Sequence, residues 1–314
     1  MSVATAKPVS PIVCLMGPTA SGKTALAIDL AKHLNGEVIS VDSALIYQDM
    51  NIGTAKPDED EQRGVKHWLI DIRSPEQSYS VADFVNDADK CIEDIVSRGK
   101  TPILAGGTMM YFNALINGIS VIPASDPAIR QSINDSLAEH GSEWLHQTLD
   151  KVDPVSARRI HPNDPQRITR ALEVFKSTNK PLSQWQEQKK PALPYDFISF
   201  SIMPSQRSVL HERIALRFQQ MLKRGLIDEV KALLIKYDLN EDLPSMRSVG
   251  YRQTLQFLAG EYGLAELEQR GTIATRQLAK RQITWLRGWN DINTLATDEP
   301  DNLDVVLQKL GAID

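Results

Sequence analysis

The sequence predicts an α/β fold: a parallel sheet core with helices on both faces and a helical insertion. Three observations predict it. Over the first 120 residues, short apolar runs alternate with segments of helical period, the pattern of strand–helix crossovers. From about Val121 to Pro194 strand-like runs cease, and short helical segments set off by Pro, Asp and Gly take over. Finally, the glycine-rich turn "GPTASGKT", Gly17 to Thr24, stands between an apolar run and a helix-like one, the context a phosphate-holding loop requires.

Taken in order, "IVCLMG" reads as the first strand, and "ALAIDLAKHL" as the helix after the glycine-rich turn. "EVISVDS" is a second strand and "HWLIDI" a short third one. "SVADFVNDADKCIEDIVSRG" has helical periodicity and ends on glycine, "TPILAGG" is a buried strand, and "TMMYFNALING" is again helical. The insertion, 121–194, reads as "DPAIRQSINDSLAEHG", "GSEWLHQTLDKVD", "PVSARRI" and "NDPQRITRALEVFKSTNK", with "KKPALPYD" as the exit linker. "FISFSIM" resumes strand character. Mainly helical segments follow: "SQRSVLHERIALRFQQMLKRG", "LIDEVKALLIKY", "MRSVGYRQTLQFLAG" and "GTIATRQLAKRQITWLRGW". The division expected is therefore a P-loop NTPase-like core from 1–120 and 195–314, interrupted by a helical domain at 121–194.

Composition excludes several classes. The chain of 314 residues is 42% hydrophobic and 24% charged, ordinary for a globular protein with a full α/β core and a smaller second unit. No apolar run approaches transmembrane length, and "MSVATAKPVSP" lacks the apolar segment of a secretory signal. Cys14 and Cys91 offer neither a disulfide framework nor a zinc site and are expected as small buried hydrophobes in a reducing compartment. The six histidines show no ligand spacing, and His140 and His146 are expected at the surface. A cytoplasmic protein is expected, with no membrane attachment. The charge is uneven: residues 1–120 carry 10 Lys and Arg against 15 Asp and Glu, whereas residues 205–290 carry 14 against 9. Such a basic block is either a solvated face or the footprint of a polyanion.

The glycine-rich turn is a P-loop by pattern. Its backbone N–H groups and the dipole of the following helix suit an anion, Lys23 can reach terminal phosphates, and the Thr24 hydroxyl can sit on Mg²⁺. The loop recognises phosphates and not what they are attached to. Asp42 ends the second strand, beside the phosphate loop, where ligands of α/β sheets bind; it can also cap "SALIYQDM". Thr108 ends "LAGGT" and is either a helix cap or a ligand contact reached through the close-approaching Gly106 and Gly107. Arg213 and Arg217 lie four apart on one helix face. Arg167 and Arg170, Arg247 and Arg252, and Lys280, Arg281 and Arg287 around Trp285 form further clusters. On separate elements they resemble a polyphosphate-binding surface with aromatic interleaving.

Seven ordered segments, "GPTASGKT", "SVDSALIY", "GTAKP", "LAGGTMMYF", "HPNDPQRITRALEV", "RSVGYRQ" and "TRQLAKRQITWLRGW", resemble the bacterial tRNA dimethylallyltransferases, also called tRNA isopentenyltransferases. The resemblance spans Gly17 to about Trp289. It implies transfer of the prenyl group of dimethylallyl diphosphate to N6 of the adenosine at tRNA position 37, with Mg²⁺ as cofactor, by a monomer. Gly17, Pro18, Thr19, Ala20, Ser21, Gly22, Lys23 and Thr24 would then hold the diphosphate, with Thr24 on the metal. The implied catalytic residues are Asp42 as general base, Thr108, and Arg217 on the diphosphate. The implied tRNA contacts are Asp42, Ser43, Ala44 and Leu45; Thr108 and Arg130; Gln166, Arg167, Ile168, Thr169 and Arg170; Arg247, Ser248, Val249, Gly250, Tyr251 and Arg252; and Lys280, Arg281, Gln282, Ile283, Thr284, Trp285, Leu286 and Arg287.

The chemistry agrees with these residue types: an exocyclic adenine amine must shed a proton as its C–N bond forms, and a carboxylate can take it. Two other readings stay open on the residues alone. One is a P-loop small-molecule kinase with the insertion as its lid. The other is a nucleotide-switched RNA-binding module, disfavoured because no switch motif follows the loop.

Overall fold

Strand β1 (Ile12–Met16) is apolar at every position and fully buried, as a strand must be when helices cover both sides of its sheet. In the computed structural model, which describes residues 11–120, 122–123, 126–188 and 191–313, the P-loop leads from β1 into α1 (Lys23–His33). The chain continues through β2 (Gly36–Val41), α2 (Glu59–Gln62), β3 (His67–Trp68), α3 (Val81–Ser97), β4 (Thr101–Gly106) and α4 (Met109–Asn117). After the insertion come β5 (Phe197–Met203), α9 (Arg207–Lys223), α10 (Leu226–Lys236), α11 (Tyr251–Leu258), α12 (Leu264–Arg287), β6 (Asn293–Ala296) and α13 (Asn302–Lys309). Helices α5 to α8 belong to the insertion.

The strands form one sheet in the order β3-β2-β4-β1-β5-β6, every pairing parallel. Val13 and Leu15 of β1, Val38 of β2, Ile103 of β4 and Phe200 of β5 pack with Leu26, Ala27 and Leu30 of α1 and Val306 of α13. Helix α3 packs against β2 and β4. Its start is set locally, because Ser80 and Asp83 satisfy each other's backbone N–H groups in a capping box. Cys14 and Cys91 are buried free thiols, as expected.

The chain divides into two compact units, one running to Ile116 and resuming at Pro194, the other Asn117–Leu193. The second unit contains α5 (Pro127–Val152), α6 (Pro154–Arg159), α7 (Pro165–Thr178) and α8 (Leu182–Glu187). Three of these begin at an Asp-Pro step: Asp126, Asp153 and Asp164 accept backbone N–H groups of the first turn, and proline fills the position whose N–H has no partner. The break expected between the first two helical segments falls inside α5, at Gly141 with φ 81°. Ile133, Leu149, Ile168 and Leu172 form this unit's core.

Several expectations are corrected. "SALIYQDM" forms turns and not a helix, and the strand expected over "HWLIDI" is reduced to His67–Trp68. Helix α8 forms from "LSQWQE", and β6 and α13 form from a stretch given no element. His146 is half-buried and not on the surface, its Nε2 near the carbonyls of Ala157 and Ile160. Lys189 and Lys190 of the exit linker, Val121 at the expected start of the insertion, and the first ten residues lie outside the described ones.

Glu37 closes the end of the sheet opposite the P-loop. Only 3% of its side chain is exposed, yet it carries a charge. Both Arg98 nitrogens donate to it at 2.6 and 2.7 Å, Lys100 at 2.7 Å and the Trp68 indole at 2.8 Å. The Arg98 hydrogen bonds above all hold its carboxyl well below the usual range, against the opposing effect of burial. A depressed carboxylate stabilises the fold fully above the unfolded-state pKa and loses that contribution as pH falls toward the folded-state value. Glu37→Ala is therefore expected to cost about 3 kcal/mol at neutral pH in denaturant melts, and the gap to wild type to narrow below about pH 4. A gap that stays constant into acid would refute the ionised network.

Candidate active site

The P-loop owes its shape to two left-handed residues, Ala20 at φ 64° and Gly22 at φ 86°. Gly22 is the N-cap of α1 and supplies no side chain, so nothing in the helix covers its first-turn N–H groups. Lys23 Nζ donates to the Pro18 carbonyl at 3.2 Å, folding the lysine back over the loop. The Ser21 hydroxyl is buried in the loop and has no protein hydrogen-bond partner.

A pocket at the carboxyl end of the sheet gathers Thr19, Lys23 and Thr24 of the P-loop, Asp42 after β2, Gly106 of β4, and Arg217 and Gln282 from α9 and α12. These elements lie far apart in sequence. Three polar contacts fasten them together. Gln282 is buried, and its Oε1 accepts the Thr19 N–H while its Nε2 donates to the Gly107 carbonyl, each at 2.9 Å. A Cβ at Gly107 would come within 2.3 Å of that Nε2, so glycine there is what allows the clamp. Thr108 Oγ1 accepts the Ser43 N–H at 3.1 Å, which ties the end of β4 to the turn that carries Asp42.

Asp42 itself accepts the Ala44 N–H through Oδ1 at 2.9 Å. The capping role thus occurs, but over a turn, and it leaves Oδ2 without a protein hydrogen bond among the described residues. Lys23 and Arg217 both feel this carboxylate. Burial pulls the Lys23 ammonium down to about 8; Asp42 opposes the shift and the like charge of Arg217 adds to it. Arg217 is lowered too, mainly by burial, with Asp42 and Glu61 opposing. Two cations thus share a half-buried site with one carboxylate, an arrangement that favours an entering anion. Arg213, four residues back on α9, pairs instead with Asp298 and lines a different cavity.

The "GTAKP" loop lines the same pocket through Gly53, Thr54, Ala55 and Pro57. It is held by a residue that the sequence reading missed. Glu229 of α10 accepts the N–H groups of Asn51, Ile52 and Gly53 at 3.0, 2.6 and 3.1 Å, and the Tyr251 hydroxyl at 2.6 Å. Buried Lys56 donates to the Tyr47 carbonyl at 2.7 Å and pairs with Asp71. Nothing in the local pattern distinguishes Glu229 from an ordinary helix-surface glutamate.

The residues expected at a tRNA surface separate by burial. Lys280, Arg281, Thr284, Trp285 and Arg287 are exposed along α12, and among the described residues the three cations form no ion pair. Gln282, Ile283 and Leu286 of the same segment are buried, as is Tyr251, so their side chains do not join the exposed row. Arg252 and Arg247 are exposed, the latter paired with Asp242. Ala44, Leu45, Ser248 and Val249 line the pocket, Ser43 is exposed beside it, and Gly250 at φ 94° starts α11. In the second unit Gln166 and Arg167 are exposed and Arg130 is half-buried, but Ile168 and Thr169 are core. Arg170 is engaged internally by Glu173 and the Pro123 carbonyl.

A P-loop at the carboxyl edge of a parallel sheet, with two cations and one carboxylate in a single pocket, defines a P-loop α/β protein with an anion-binding site. The family follows from comparison: residues 45–289 match the model of the IPP transferase family, and the chain belongs to that family. Solved structures agree. The full-length tRNA isopentenylpyrophosphate transferase of Bacillus halodurans is 36% identical, with TM-score 0.70, over 96% of this chain and 97% of that one. The tRNA delta(2)-isopentenylpyrophosphate transferase of Staphylococcus epidermidis is 34% identical, with TM-score 0.67, over 96% and 98%. A eukaryotic dimethylallyltransferase acting on tRNA is 30% identical, with TM-score 0.77, over 96% of this chain and 77% of that one.

The lowered basicity of Lys23 has a measurable consequence. Its charged form is the one that binds an anion, so inorganic pyrophosphate should bind more weakly as pH rises through about 8, by up to about tenfold per unit. Calorimetric titration of wild type against Lys23→Met isolates the effect. Parallel pH profiles for the two proteins would show that Lys23 does not meet the anion.

Proposed function

We propose that the protein transfers the dimethylallyl group of dimethylallyl diphosphate to N6 of the adenosine at position 37 of tRNA, beside the anticodon, and releases diphosphate. One observation carries the reading: Asp42, Lys23 and Arg217 line one pocket with the P-loop, in a chain of the IPP transferase family. Its support in the relatives is that they are, by name, transferases acting on tRNA.

In this reading the donor's diphosphate lies on the N–H groups that open α1, between Lys23 and Arg217. The adenine N6 attacks the first prenyl carbon; the C–N bond forms as the C–O bond to diphosphate breaks, and the bonding pair leaves with the diphosphate. Asp42 accepts the proton that N6 sheds. Lys23, Arg217 and the loop amides meet the charge that grows on the leaving group. A uniformly buried cation pair would suit this poorly, whereas a half-buried one is accessible to ligand and only partly hydrated.

The residues fit a bound Mg²⁺. Thr24 is exposed in the pocket, the Ser21 hydroxyl is an orphaned donor in the loop, and the described residues contain no cluster of three metal-ligating side chains. Thr24 would hold the ion. When bound, the ion supplies charge neutralisation at the leaving diphosphate.

The exposed row Lys280, Arg281, Trp285 and Arg287 on α12 supplies phosphate contacts and a stacking surface for the anticodon arm. A loop adenosine can leave its stack at modest cost, which suits an acceptor that must reach an enclosed carboxylate.

Four outcomes test the reading. Incubation with tRNA should place prenyl label in the RNA, with Mg²⁺ required and ATP dispensable; ATP-dependent phosphate transfer to a small alcohol would instead mark a kinase. Asp42→Asn should slow single-turnover transfer by roughly 10²- to 10⁴-fold while tRNA affinity holds, and a rate near wild type would reduce Asp42 to its turn-capping bond.

Arg217→Lys keeps the charge but loses the fork that can hold two oxygens. Donor binding and the chemical step should both weaken, more so in Arg217→Ala, with tRNA affinity retained. Unchanged donor affinity and rate in both variants would remove Arg217 from the site. Separately, Ala at Lys280, Arg281 or Arg287 should weaken tRNA binding and flatten the slope of log affinity against log salt by roughly 0.7–0.9 per lost contact. Salt curves that superimpose on wild type would leave α12 a solvated face.

A further inference from the structure

The pocket continues past Asp42 along the β2–β3 edge of the sheet. Alternation along β2 puts Val38, Ser40 and Asp42 on one face, the face that α1 covers. The parallel register sets His67 of β3 beside Val38, so its ring lies on the same face. The neighbouring lining is apolar: Ala27, Ala55, Pro57 and Ile70.

Two polar atoms interrupt this wall. The Ser40 hydroxyl and the His67 Nε2 are both removed from solvent, and neither has a hydrogen-bond partner among the described residues; Ser40 is 3% exposed. The state of His67 follows from its other nitrogen. Nδ1 lies 2.8 Å from the Val65 carbonyl, which can only accept, so the proton is on Nδ1 and Nε2 is a bare acceptor. Burial lowers the ring's basicity and keeps it neutral.

Buried polar groups without partners are uncommon, and this pair defines the partner it would take. The group must donate to His67 Nε2 and can accept from Ser40 Oγ. A hydroxyl does both. A phosphate or carboxylate oxygen cannot donate, and a methyl group can do neither. Ser40 is two residues below Asp42, about 6–7 Å along a strand, and His67, paired with Val38, enters the wall from one step deeper. A five-carbon chain with its first carbon at the level of Asp42 reaches about 5 Å further.

We propose, building on the prenyl-transfer reading above, that Ser40 and His67 form a subsite for a hydroxyl group on the far end of the allylic chain. The enzyme then accepts a hydroxylated five-carbon allylic diphosphate as donor alongside the plain one. The hydroxyl donates to His67 and accepts from Ser40, while the apolar wall holds the rest of the chain. Transfer is otherwise the same substitution at the first carbon, with no added oxidant or reductant.

The test offers the enzyme, with tRNA and Mg²⁺, a mixture of dimethylallyl diphosphate and its terminally hydroxylated analogue, and reads the two modified nucleosides by mass spectrometry. Wild type should use the hydroxylated donor with kcat/KM within about tenfold of the plain one or better. In Ser40→Ala and in His67→Leu, the ratio of hydroxylated to plain product should fall by about tenfold or more, the effect of a buried hydrogen bond left unmade. An unchanged ratio in both variants overturns the subsite, as does a wild type that transfers only the plain group. A fall in one variant alone overturns the pairing of the two residues. If His67→Leu does not fold, Ser40→Ala decides, since it removes one oxygen from an otherwise intact strand. Transfer of neither group by wild type is a distinct result, which overturns the prenyl-transfer reading itself.

Discussion

Two desolvated cations of like charge, Lys23 and Arg217, sit with a single carboxylate, Asp42, at the carboxyl end of the sheet. With one carboxylate against two cations such a cluster is unfavourable without a further anion, since each cation has lost part of its water and the two repel. The surroundings have to impose it, and much of the molecule can be understood from that need. An anion entering between the cations relieves the strain, so binding energy becomes available where charge must later be stabilised.

The scaffold imposes the cluster through backbone-directed hydrogen bonds rather than through more charge. Gln282 bridges Thr19 and Gly107, Thr108 bridges to Ser43, and Glu229 gathers three N–H groups of the loop that closes the pocket wall. Each fixes the position of a chain segment that lines the pocket. The parallel sheet supplies the common edge, because all its strands end at the same side and the P-loop turn leaves from that side.

The same helix often serves two purposes at different positions. On α12, Gln282, Ile283 and Leu286 face the core while Lys280, Arg281, Trp285 and Arg287 face solvent, Trp285 with 48% of its surface exposed. On α9, Arg217 enters the pocket and Arg213, a turn earlier, is held by Asp298. A segment matched to a family as one block is thus divided by helical geometry into a part that packs and a part that can meet a partner. This is why Ile168, Thr169 and Tyr251, expected at an RNA surface as members of such blocks, are core residues.

What the sequence by itself determined was whatever is local. The P-loop needs glycine at a left-handed position and a lysine and threonine beside it, so it is legible as a pattern. Strand–helix alternation announces a parallel sheet, and Asp-Pro steps announce the helices of the second unit. Asp42 was legible from its place after the second strand, whereas Arg217 was indistinguishable from Arg213 on the same helix face until the family resemblance was drawn. What only the tertiary structure decided was which distant groups meet. The strand order, the Gln282 clamp, the Glu229 anchor and the orphaned pair Ser40 and His67 all rest on contacts between segments far apart in the chain. A glutamate that gathers three loop N–H groups and one that waves in solvent have the same neighbours in sequence, since that contact is a property of the fold and not of the local pattern.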